Sequence, residues 1–334
     1  MKEKLRFGVI STARIGVSQF IPAVQSSSEL CVVSAIASRD LTQAQRVAAQ
    51  LNLPKAYGTY DELLSDPDID AVYISLPNRL HAIWARRAAE AGKHVLCEKP
   101  LARTVSAARE VAESCAQRDI ILMEAFMYRH HPQHTKVKEL LAAGAIGEIH
   151  IIRASFCFTL RNPDSNIRMN AELEGGALMD VGCYAVNASR FLFEAEPIAA
   201  SAFEHRDPVY GVDVSLGGIL LFSEGRLGIV DCSLETGSGG RYEVAGSEGM
   251  IIADRAFTPG TNLVTIRLIR GNNVETFEIP ATNQYALEAD HFARSVAEGK
   301  LLQPAEDGVA NTYIIEALYQ AAAQGTTVQL QMNI

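Results

Sequence analysis

Lys99 combines a reactive side chain with a position where open sheets bind ligands. It follows the apolar run from His94 to Cys97 and precedes Pro100. Such a run within an alternating strand and helix pattern predicts a buried parallel strand, and ligands bind outside the carboxyl ends of such strands. Because the proline restricts Lys99 to an extended backbone, its ammonium would be held at that edge for proton chemistry. The alternative is that Lys-Pro only marks the step from strand to helix.

Asp180 and Tyr184 form a second candidate site, in the run of small residues that begins at Gly175. Residues four apart share one face of a helix, so both side chains can enter one cleft. A phenol has a reference pKa of about 10 and acts as an acid or base near neutrality only if a nearby cation favours the phenolate. Lys99 is a candidate for that cation. The alternative is that Tyr184 is a half-buried packing residue and Asp180 a carboxylate on the helix face.

The amino-terminal strand leads into a dinucleotide-binding pattern that departs from its glycine-rich form. Gly8 is present, but Ser11 and Ala13 replace the expected second and third glycines. Strand, tight turn and helix opening keep their spacing, and small residues still let the backbone approach a pyrophosphate on the helix amino terminus. The pattern predicts a dinucleotide cofactor; the alternative is an ordinary turn from strand to helix.

The end of the second strand indicates which dinucleotide is bound. Where an NAD enzyme has an acidic residue for the ribose 2′-hydroxyl, this chain reads Ala37-Ser38-Arg39-Asp40. A hydroxyl followed by arginine suits a 2′-phosphate and predicts NADP. Arg39 can instead be a solvated loop cation, and Asp40, one position later, keeps NAD possible.

Alternating short apolar runs and amphipathic helices over about the first 125 residues predict a parallel sheet covered on both faces. A different pattern from Glu148 onward predicts an α+β domain. The fold class is therefore α/β, with a doubly wound Rossmann domain at 1–125 and an α+β domain with a large open antiparallel sheet at 126–334, whose last segment can pack back near the first domain. The predicted strands are Leu5 to Ile10, Leu30 to Ala37, Ala71 to Ser75, His94 to Cys97, Ile120 to Met123, Ile149 to Phe158 and several between 198 and 278. The predicted helices are Thr42 to Leu51, Leu80 to Ala91, Val105 to Gln117, 176–193, 284–298 and 305–323.

Composition limits the class of protein. Of 334 residues, 48% are hydrophobic and 21% charged, and the net charge is −9. These values predict a globular protein, and a negative charge without a basic stripe disfavours nucleic acid as a partner. No apolar run approaches the ~20 residues that span a bilayer, and no signal-peptide pattern opens the chain, so we expect a cytoplasmic protein. The cysteines lack metal-type spacing and fit packed, reduced thiols: Cys31, Cys97, Cys115, Cys157, Cys183 and Cys232.

The histidine-rich segment from His130 to His134 does not fit a metal site. Pro132 is expected to begin a helix and to scatter the imidazoles, and there is no His-Glu-x-x-His pattern. We therefore predict no bound metal and interpret His131 as a residue that lines the cleft.

Five segments of the chain form a recognisable series: Gly8 to Gly16, Pro77 to His81, Ala91 to Pro100, Glu124 to Arg129, and Asp180 to Tyr184. In order and spacing they resemble the Gfo/Idh/MocA family of glucose-fructose oxidoreductase and inositol dehydrogenase. The resemblance implies a dinucleotide-binding domain, an α/β domain whose open sheet packs in dimers, and an active site between them. Many relatives carry aspartate and histidine four apart in the last segment. Here Asp180 is followed by Tyr184, as in the subgroup of dimeric dihydrodiol dehydrogenase and NADP-dependent D-xylose dehydrogenase.

The resemblance also implies roles for individual residues. Lys99 matches the catalytic lysine and Tyr184 the tyrosine that gives or takes a proton, while Asp180 orients the pair or binds a substrate hydroxyl. The substrate-binding set is Tyr128, Arg129, His131, Asn166 and Arg168. The cofactor-binding set is Gly8, Ser11, Thr12, Ala13, Arg14, Ile15, Ser38, Arg39, Leu76, Pro77, Asn78, His81, Glu98, Lys99 and Tyr285.

We therefore expect an NADP(H)-dependent oxidoreductase that transfers hydride between nicotinamide and a sugar or another polyhydroxylated cyclic substrate. Oxidation of an aldose such as D-xylose at its anomeric carbon, or of a trans-dihydrodiol, is expected first. The alternatives are a ketosugar reductase, including one for a nucleotide-linked sugar, and a regulator that senses NADP(H) without catalysis. The alternating apolar strands from Ala199 to Val230 predict a homodimer through that sheet.

Overall fold

The chain forms two compact units, and the computed structural model describes residues 4–237, 239–301 and 305–331. Within these ranges, unit 1 contains residues up to 130 and from 283 to 309, and unit 2 contains those from 131 to 282 and from 310 onward. The sequence predicts one boundary, at 125/126. In the structure the chain leaves unit 1 after His130 and rejoins it at Asn283, because a late helix packs into the first sheet.

Unit 1 is built on a sheet of six parallel strands in the order β3-β2-β1-β4-β5-β6. The order reverses between β1 and β4, the place where doubly wound sheets bind ligands. This confirms the predicted fold of the first part of the chain. The strands are β1 (Leu5–Ile10), β2 (Cys31–Ala37), β3 (Lys55–Tyr57), β4 (Ala71–Ile74), β5 (His94–Glu98) and β6 (Leu122–Ala125).

Helices cover both faces of this sheet, and each face has its own hydrophobic core. Successive residues of β4 belong to different cores, Tyr73 to one and Ile74 to the other, because side chains alternate along a strand. This two-sided burial is what makes β4 apolar throughout. The helices of unit 1 are α1 (Ile21–Ser27), α2 (Leu41–Gln50), α3 (Tyr60–Leu64), α4 (His81–Glu90), α5 (Val105–Ala116) and α8 (Gln284–Glu298).

Helix α8 is part of the core of unit 1 although it lies far along the chain. The Phe292 ring lies 5.6 Å from that of Phe7, between ring centres. The Asp290 carboxylate accepts hydrogen bonds from the Ser28 hydroxyl at 2.5 Å and from the Leu30 amide at 3.1 Å. These hydrogen bonds attach the segment between α1 and β2 to α8.

Unit 2 is built on a nine-stranded sheet in the order β14-β13-β12-β11-β7-β10-β9-β8-β15. Every neighbouring pair is antiparallel except β7 and β10, which are parallel, so the predicted antiparallel sheet is in fact mixed. The strands are β7 (Ile149–Cys157), β8 (Ala199–Arg206), β9 (Asp213–Leu221), β10 (Leu227–Ser233), β11 (Gly239–Gly246), β12 (Met250–Ala253), β13 (Val264–Arg270), β14 (Asn273–Ile279) and β15 (Val328–Gln329). The helices are α6 (Pro132–Ala142), α7 (Cys183–Phe193) and α9 (Ala305–Gln324), whose first turn belongs to unit 1.

The two faces of this second sheet differ. On one face Ala154, Val230 and Val244 are buried, whereas on the other Phe203 is 81% exposed and Ile219 48% exposed. All six cysteines are buried free thiols. In the part of the chain that the structure describes, no helix has the length and apolar character needed to cross a membrane.

Candidate active site

The turn after β1 holds Ser11 in a conformation that usually requires glycine. Its φ is 104°, in the left-handed region where a side chain is strained. The hydroxyl stabilises the turn: it lies 3.0 Å from the Ser75 carbonyl oxygen and accepts a hydrogen bond of 3.1 Å from the Ala13 amide. A serine therefore maintains the turn that the dinucleotide-binding pattern assigns to a glycine.

The helix after this turn begins at Arg14 and passes through a π-turn, Gly16–Phe20, before α1. The first amides of a helix lack partners within it and bind anions such as a pyrophosphate. Gly16 lets this helix approach the sheet, because a Cβ there would lie 3.2 Å from Ser75 Oγ. The predicted residues Thr12, Ala13, Arg14 and Ile15 all lie on this stretch, and its donors fit a dinucleotide.

Arg39 and Asp40 follow β2 and differ in their contacts. Asp40 is the N-cap of α2, since its Oδ1 accepts hydrogen bonds from the amides of Thr42 at 2.9 Å and Gln43 at 3.3 Å. Arg39 is exposed; burial raises the pKa of Tyr60, and the nearby Arg39 guanidinium opposes this rise. The carboxylate of Asp40 is thus occupied in capping α2, which leaves Arg39 as an exposed cation at the end of β2.

Lys99 directly follows β5, as the sequence predicts, and is half-buried. The preceding Glu98 is buried, and the Tyr73 hydroxyl donates a hydrogen bond of 2.5 Å to its Oε1. Burial, reinforced by the charge of Glu98, raises the pKa of Tyr73 well above its usual range. Tyr73 therefore remains a donor, and the end of β5 presents a cation next to a hydrogen-bonded carboxyl group.

His81 connects the loops that follow β4 and β5. It is 1% exposed, with Nδ1 2.8 Å from the Pro100 carbonyl oxygen and Nε2 2.7 Å from the Leu76 carbonyl oxygen. Both ring nitrogens thus contact backbone. His81 can influence a cofactor through the loops it holds, which include the predicted residues Pro77 and Asn78.

Tyr285 lies in the first turn of α8 and is buried. Burial, followed by the charges of Glu98 and Glu288, raises its pKa. Sequence reasoning missed Glu288, which is fully buried in the next turn of the helix.

Two glycines allow the chain to enter the helical segment of unit 2 that begins at Ala177. Gly176 has a φ of 120°, and a Cβ on it would lie 2.1 Å from Asp213 Oδ1. A Cβ on Gly175 would lie 2.3 Å from the Arg168 carbonyl oxygen. Another residue at either position would displace backbone or a buried carboxyl group.

Asp180 lies in a π-turn, Leu178–Gly182, and Tyr184 lies in α7 directly after it. Gly182 lets this turn approach β10, because a Cβ there would lie 2.7 Å from Cys232 Sγ. The sequence predicts a regular helix over this region. The structure adds a π-turn, a feature that is frequent at functional sites.

Arg168 and Asp180 form an ion pair that the sequence does not predict, although both are candidate residues. Arg168 Nε donates a hydrogen bond of 2.5 Å to Asp180 Oδ2. The Asn166 side chain in turn accepts one of 3.1 Å from the Arg168 amide. The structure thus brings together three of the predicted site residues on the loop and helix of unit 2.

The Tyr184 ring is fixed by aromatic packing. It is 4% exposed, and its centre lies 5.3 Å from that of Phe156 and 5.4 Å from that of Phe257. Packing on two sides holds the phenol in one orientation, which is what proton transfer at a defined atom requires.

Three residues predicted for the substrate are buried or form contacts with residues of their own unit. His131, which the sequence places at a cleft surface, is 0% exposed and caps α6, with Nδ1 accepting a hydrogen bond of 3.2 Å from the Gln133 amide. Tyr128 is likewise 0% exposed. Arg129 forms an ion pair with Asp307. These residues support the local structure of each unit.

Among the described residues, no three His, Cys, Asp or Glu side chains are grouped as a metal ion would require. Both ring nitrogens of His134 already contact protein groups: Nδ1 lies 2.8 Å from the Tyr242 hydroxyl, and Nε2 lies 2.9 Å from the Ala256 carbonyl oxygen.

Unit 2 also has an open pocket of about 520 Å³ beside the loop that contains Arg168. Its lining is mixed, with apolar side chains at Ile167, Met169, Ala171, Leu173 and Val209. The polar residues that line it are Asp164, Ser165, Asn166, Asn170, Glu172 and Tyr210.

Family models match both parts of the chain. Residues 5–126 match the oxidoreductase family with an NAD-binding Rossmann fold, and residues 134–252 match the C-terminal domain of the same family, Gfo/Idh/MocA. The chain belongs to this family. The resemblance inferred from the sequence motifs is thereby confirmed, and the protein is an oxidoreductase.

Individual relatives match over nearly the whole chain. D-xylose 1-dehydrogenase (NADP(+)) 2 of Haloferax volcanii is 39% identical, over 98% of this chain and 100% of its own. Trans-1,2-dihydrobenzene-1,2-diol dehydrogenase of Xenopus laevis is 31% identical, over 94% of this chain and 97% of its own. A 3-ketoreductase of Actinomadura kijaniata, solved with NADP and TDP-benzene, is 33% identical with a TM-score of 0.90, over 96% of this chain and 98% of its own.

Proposed function

We propose that the protein oxidises a free aldose of the D-xylose kind at its anomeric carbon, with NADP as hydride acceptor. NADP is the cofactor, and its adenosine 2′-phosphate fits Arg39. The observation that carries the substrate assignment is the similarity, over nearly the whole chain, to the Haloferax D-xylose dehydrogenase.

The pocket of unit 2 supports a neutral, hydroxyl-rich substrate. Its carboxyl, amide and hydroxyl groups are the partners that sugar hydroxyls need for hydrogen bonding. These groups support an aldose as the substrate, with the loop that carries Asn166 as its binding segment.

The proposed mechanism assigns one role in the reaction to each side chain of the site. Bound NADP supplies the nicotinamide C4 that takes a hydride from C1 of the sugar. Tyr184, as phenolate, accepts the proton of the C1 hydroxyl, and Lys99 donates a hydrogen bond to the same oxygen. Asp180, held by Arg168, binds a second sugar hydroxyl. Loss of the hydride from carbon and of the proton from oxygen leaves a lactone.

A second candidate is reduction of a nucleotide-linked ketosugar, which the likeness to the Actinomadura ketoreductase favours. The two candidates differ in direction and in substrate charge. Absorbance of reduced nicotinamide distinguishes them when the purified protein is mixed with NADP and aldoses or dihydrodiols, and with NADPH and nucleotide-linked ketosugars. Reduction of NADP by D-xylose is expected. Turnover only with ketosugars would establish the second candidate, and cofactor binding without any turnover would indicate a regulator.

We also propose that the protein is a homodimer through the second sheet. Phe203 on β8 pairs with Gly217 on β9, and Ile219 lies two residues further on the same face. Both apolar side chains are exposed in the single chain, which favours a second copy as the partner for that face.

A further inference from the structure

Glu288 occupies a position that is unfavourable for a charge. Its side chain is 0% exposed, and neither carboxyl oxygen has a hydrogen-bond partner in the described part of the chain. A buried carboxylate without a donor or a cation is strongly destabilising, and such a group keeps its proton instead.

Three other titratable groups of unit 1, Glu98, Tyr73 and Tyr285, interact electrostatically with this carboxyl group. The charge of Glu98 acts on Glu288, Tyr73 and Tyr285, and with burial it raises the pKa of all three. Glu98 differs from Glu288 because the Tyr73 hydroxyl donates a hydrogen bond of 2.5 Å to the Glu98 carboxylate. A negative charge is therefore better placed on Glu98 than on Glu288.

The other elements packed against α8 bring few titratable side chains. Helix α1 and the π-turn Gly16–Phe20 contain no titratable side chain, and β2 contributes Cys31. The segment Met127–His130 brings Tyr128, Arg129 and His130. Burial, followed by the charges of Arg294 and Arg129, lowers the pKa of His291, one turn beyond Glu288.

We propose that Glu98 and Glu288 carry a single negative charge, located on Glu98, because Glu288 holds a proton. Glu288 is then a positioning residue that sets the charge beside the nicotinamide. The oxidised nicotinamide is positive and the reduced form is not, so one fixed anion strengthens binding of the oxidised cofactor relative to the reduced one. This inference rests on the proposed place of Glu98 in the cofactor site and is independent of the proposed sugar.

The first test measures Kd for NADP⁺ and NADPH without any sugar, so that failure of the proposed dehydrogenase activity cannot affect it. In Glu98→Gln the ratio of the two Kd values should move about tenfold or more against NADP⁺. In Glu288→Gln, where an amide replaces a neutral acid of the same shape, the ratio should stay within about twofold. A tenfold change in Glu288→Gln, or none in Glu98→Gln, overturns the proposal.

The second test needs no cofactor. The unfolded chain releases the proton of Glu288, so the folding equilibrium constant of the wild type, relative to Glu288→Gln, should fall about tenfold for each pH unit above about pH 5. Urea unfolding between about pH 5 and about pH 8 measures this difference. Glu298→Gln, which changes an exposed glutamate of the same helix, is the matched control and should follow the wild type.

If Glu288→Gln does not fold, Glu288→Met supplies an apolar side chain of similar length and should show the same pH-dependent difference. A difference from the wild type that does not vary with pH means that Glu288 is charged in the folded protein, and this overturns the proposal.

Discussion

Tyr319 donates a hydrogen bond of 2.7 Å to Asp213 Oδ1, and Asp213 Oδ2 accepts one of 2.7 Å from the Leu178 amide. Through this pair a tyrosine of α9 fixes the start of the helical segment that carries Asp180 and Tyr184. The carboxyl group is buried, and burial raises the pKa of Asp213 to about 6. Its charge state therefore changes in a range where the folded protein can be studied.

Stability should fall as the pH rises through the range set by Asp213. The pKa is raised from 3.8 to about 6 in the folded protein, so between these values the folded form holds a proton that the unfolded chain has lost. The contribution is full below about pH 4 and is lost by about pH 6, with a magnitude of up to ~3 kcal/mol. Asp213→Asn stays neutral and should lack this decline. Urea unfolding of both proteins across the range checks it, and parallel curves would contradict it.

Removing the donor to Asp213 should matter more when the carboxyl group is charged. Tyr319→Phe should lower the free energy of unfolding by about 1 kcal/mol below pH 5 and by about 2 kcal/mol at pH 8, since hydrogen bonds to charged groups are stronger. Tyr313→Phe is the matched control on the same helix, because the Tyr313 hydroxyl accepts a hydrogen bond of 3.3 Å from the amide of the exposed Gln331. An equal loss at both pH values would argue against this coupling.

Replacing Tyr184 by phenylalanine tests proton transfer. Tyr184→Phe keeps the ring that packs on Phe156 and Phe257 and removes only the hydroxyl. Turnover should fall about 10²- to 10⁴-fold, with little change in NADP affinity. Steady-state kinetics with the active sugar and a separate cofactor titration measure the two effects. More than half of the wild-type turnover, with hydride transfer shown to be rate-limiting, would exclude the role.

Arg39 should determine the preference for NADP. Arg39→Ala should weaken NADP about tenfold or more and leave NAD nearly unaffected, because only the 2′-phosphate offers arginine an anion. Asp40→Asn should change neither affinity, since asparagine also caps helices. Arg46→Ala, an exposed cation on α2, serves as the control for general electrostatics. Unchanged NADP affinity in Arg39→Ala, or a wild type that prefers NAD, would refute the assignment.

A charge on the exposed face of the second sheet should prevent dimer formation. Phe203→Asp is expected to give a monomer by light scattering at micromolar concentration, whereas the wild type should be a dimer. Leu263→Asp places the same charge on another exposed apolar residue, outside β8 and β9, and should remain a dimer. A monomeric wild type would disprove the proposed interface.

Most helices were predictable from apolar residues at three- and four-residue spacing. The parallel strands were predictable from continuous apolar runs, because these strands are buried on both faces. Leu5–Ile10 and the helix at 284–298 match the prediction residue for residue. The three-residue strand Lys55–Tyr57 and the short helix Tyr60–Leu64 were missed, since neither is long enough to show a period. Residues 302–304, within the stretch before the predicted helix at 305–323, lie outside the described ranges.

The candidate site was predictable where a local motif marks it and not where distant residues meet. The capping role of Asp40 could have been found, because an aspartate just before an amphipathic helix is a recognised N-cap signal. Asp213 lies 35 residues from the amide it binds, and no local pattern connects them. Glu288 follows Tyr285 on one helical face, but its burial depends on elements that lie between residues 5 and 130 of the chain.

The place of α8 in the core of unit 1 also bears on how the protein is made. Phe292 and Asp290 complete contacts with Phe7, Ser28 and Leu30, yet about 150 residues separate the end of the first stretch of unit 1 from the start of the second. At a synthesis rate of roughly 5 to 20 residues per second, about 8 to 30 seconds pass between the synthesis of the first stretch of unit 1 and the synthesis of α8. During that interval the part of this core that Ala289, Phe292 and Ala293 cover is exposed, so the ribosome-bound chain is open to chaperones before unit 1 can finish folding.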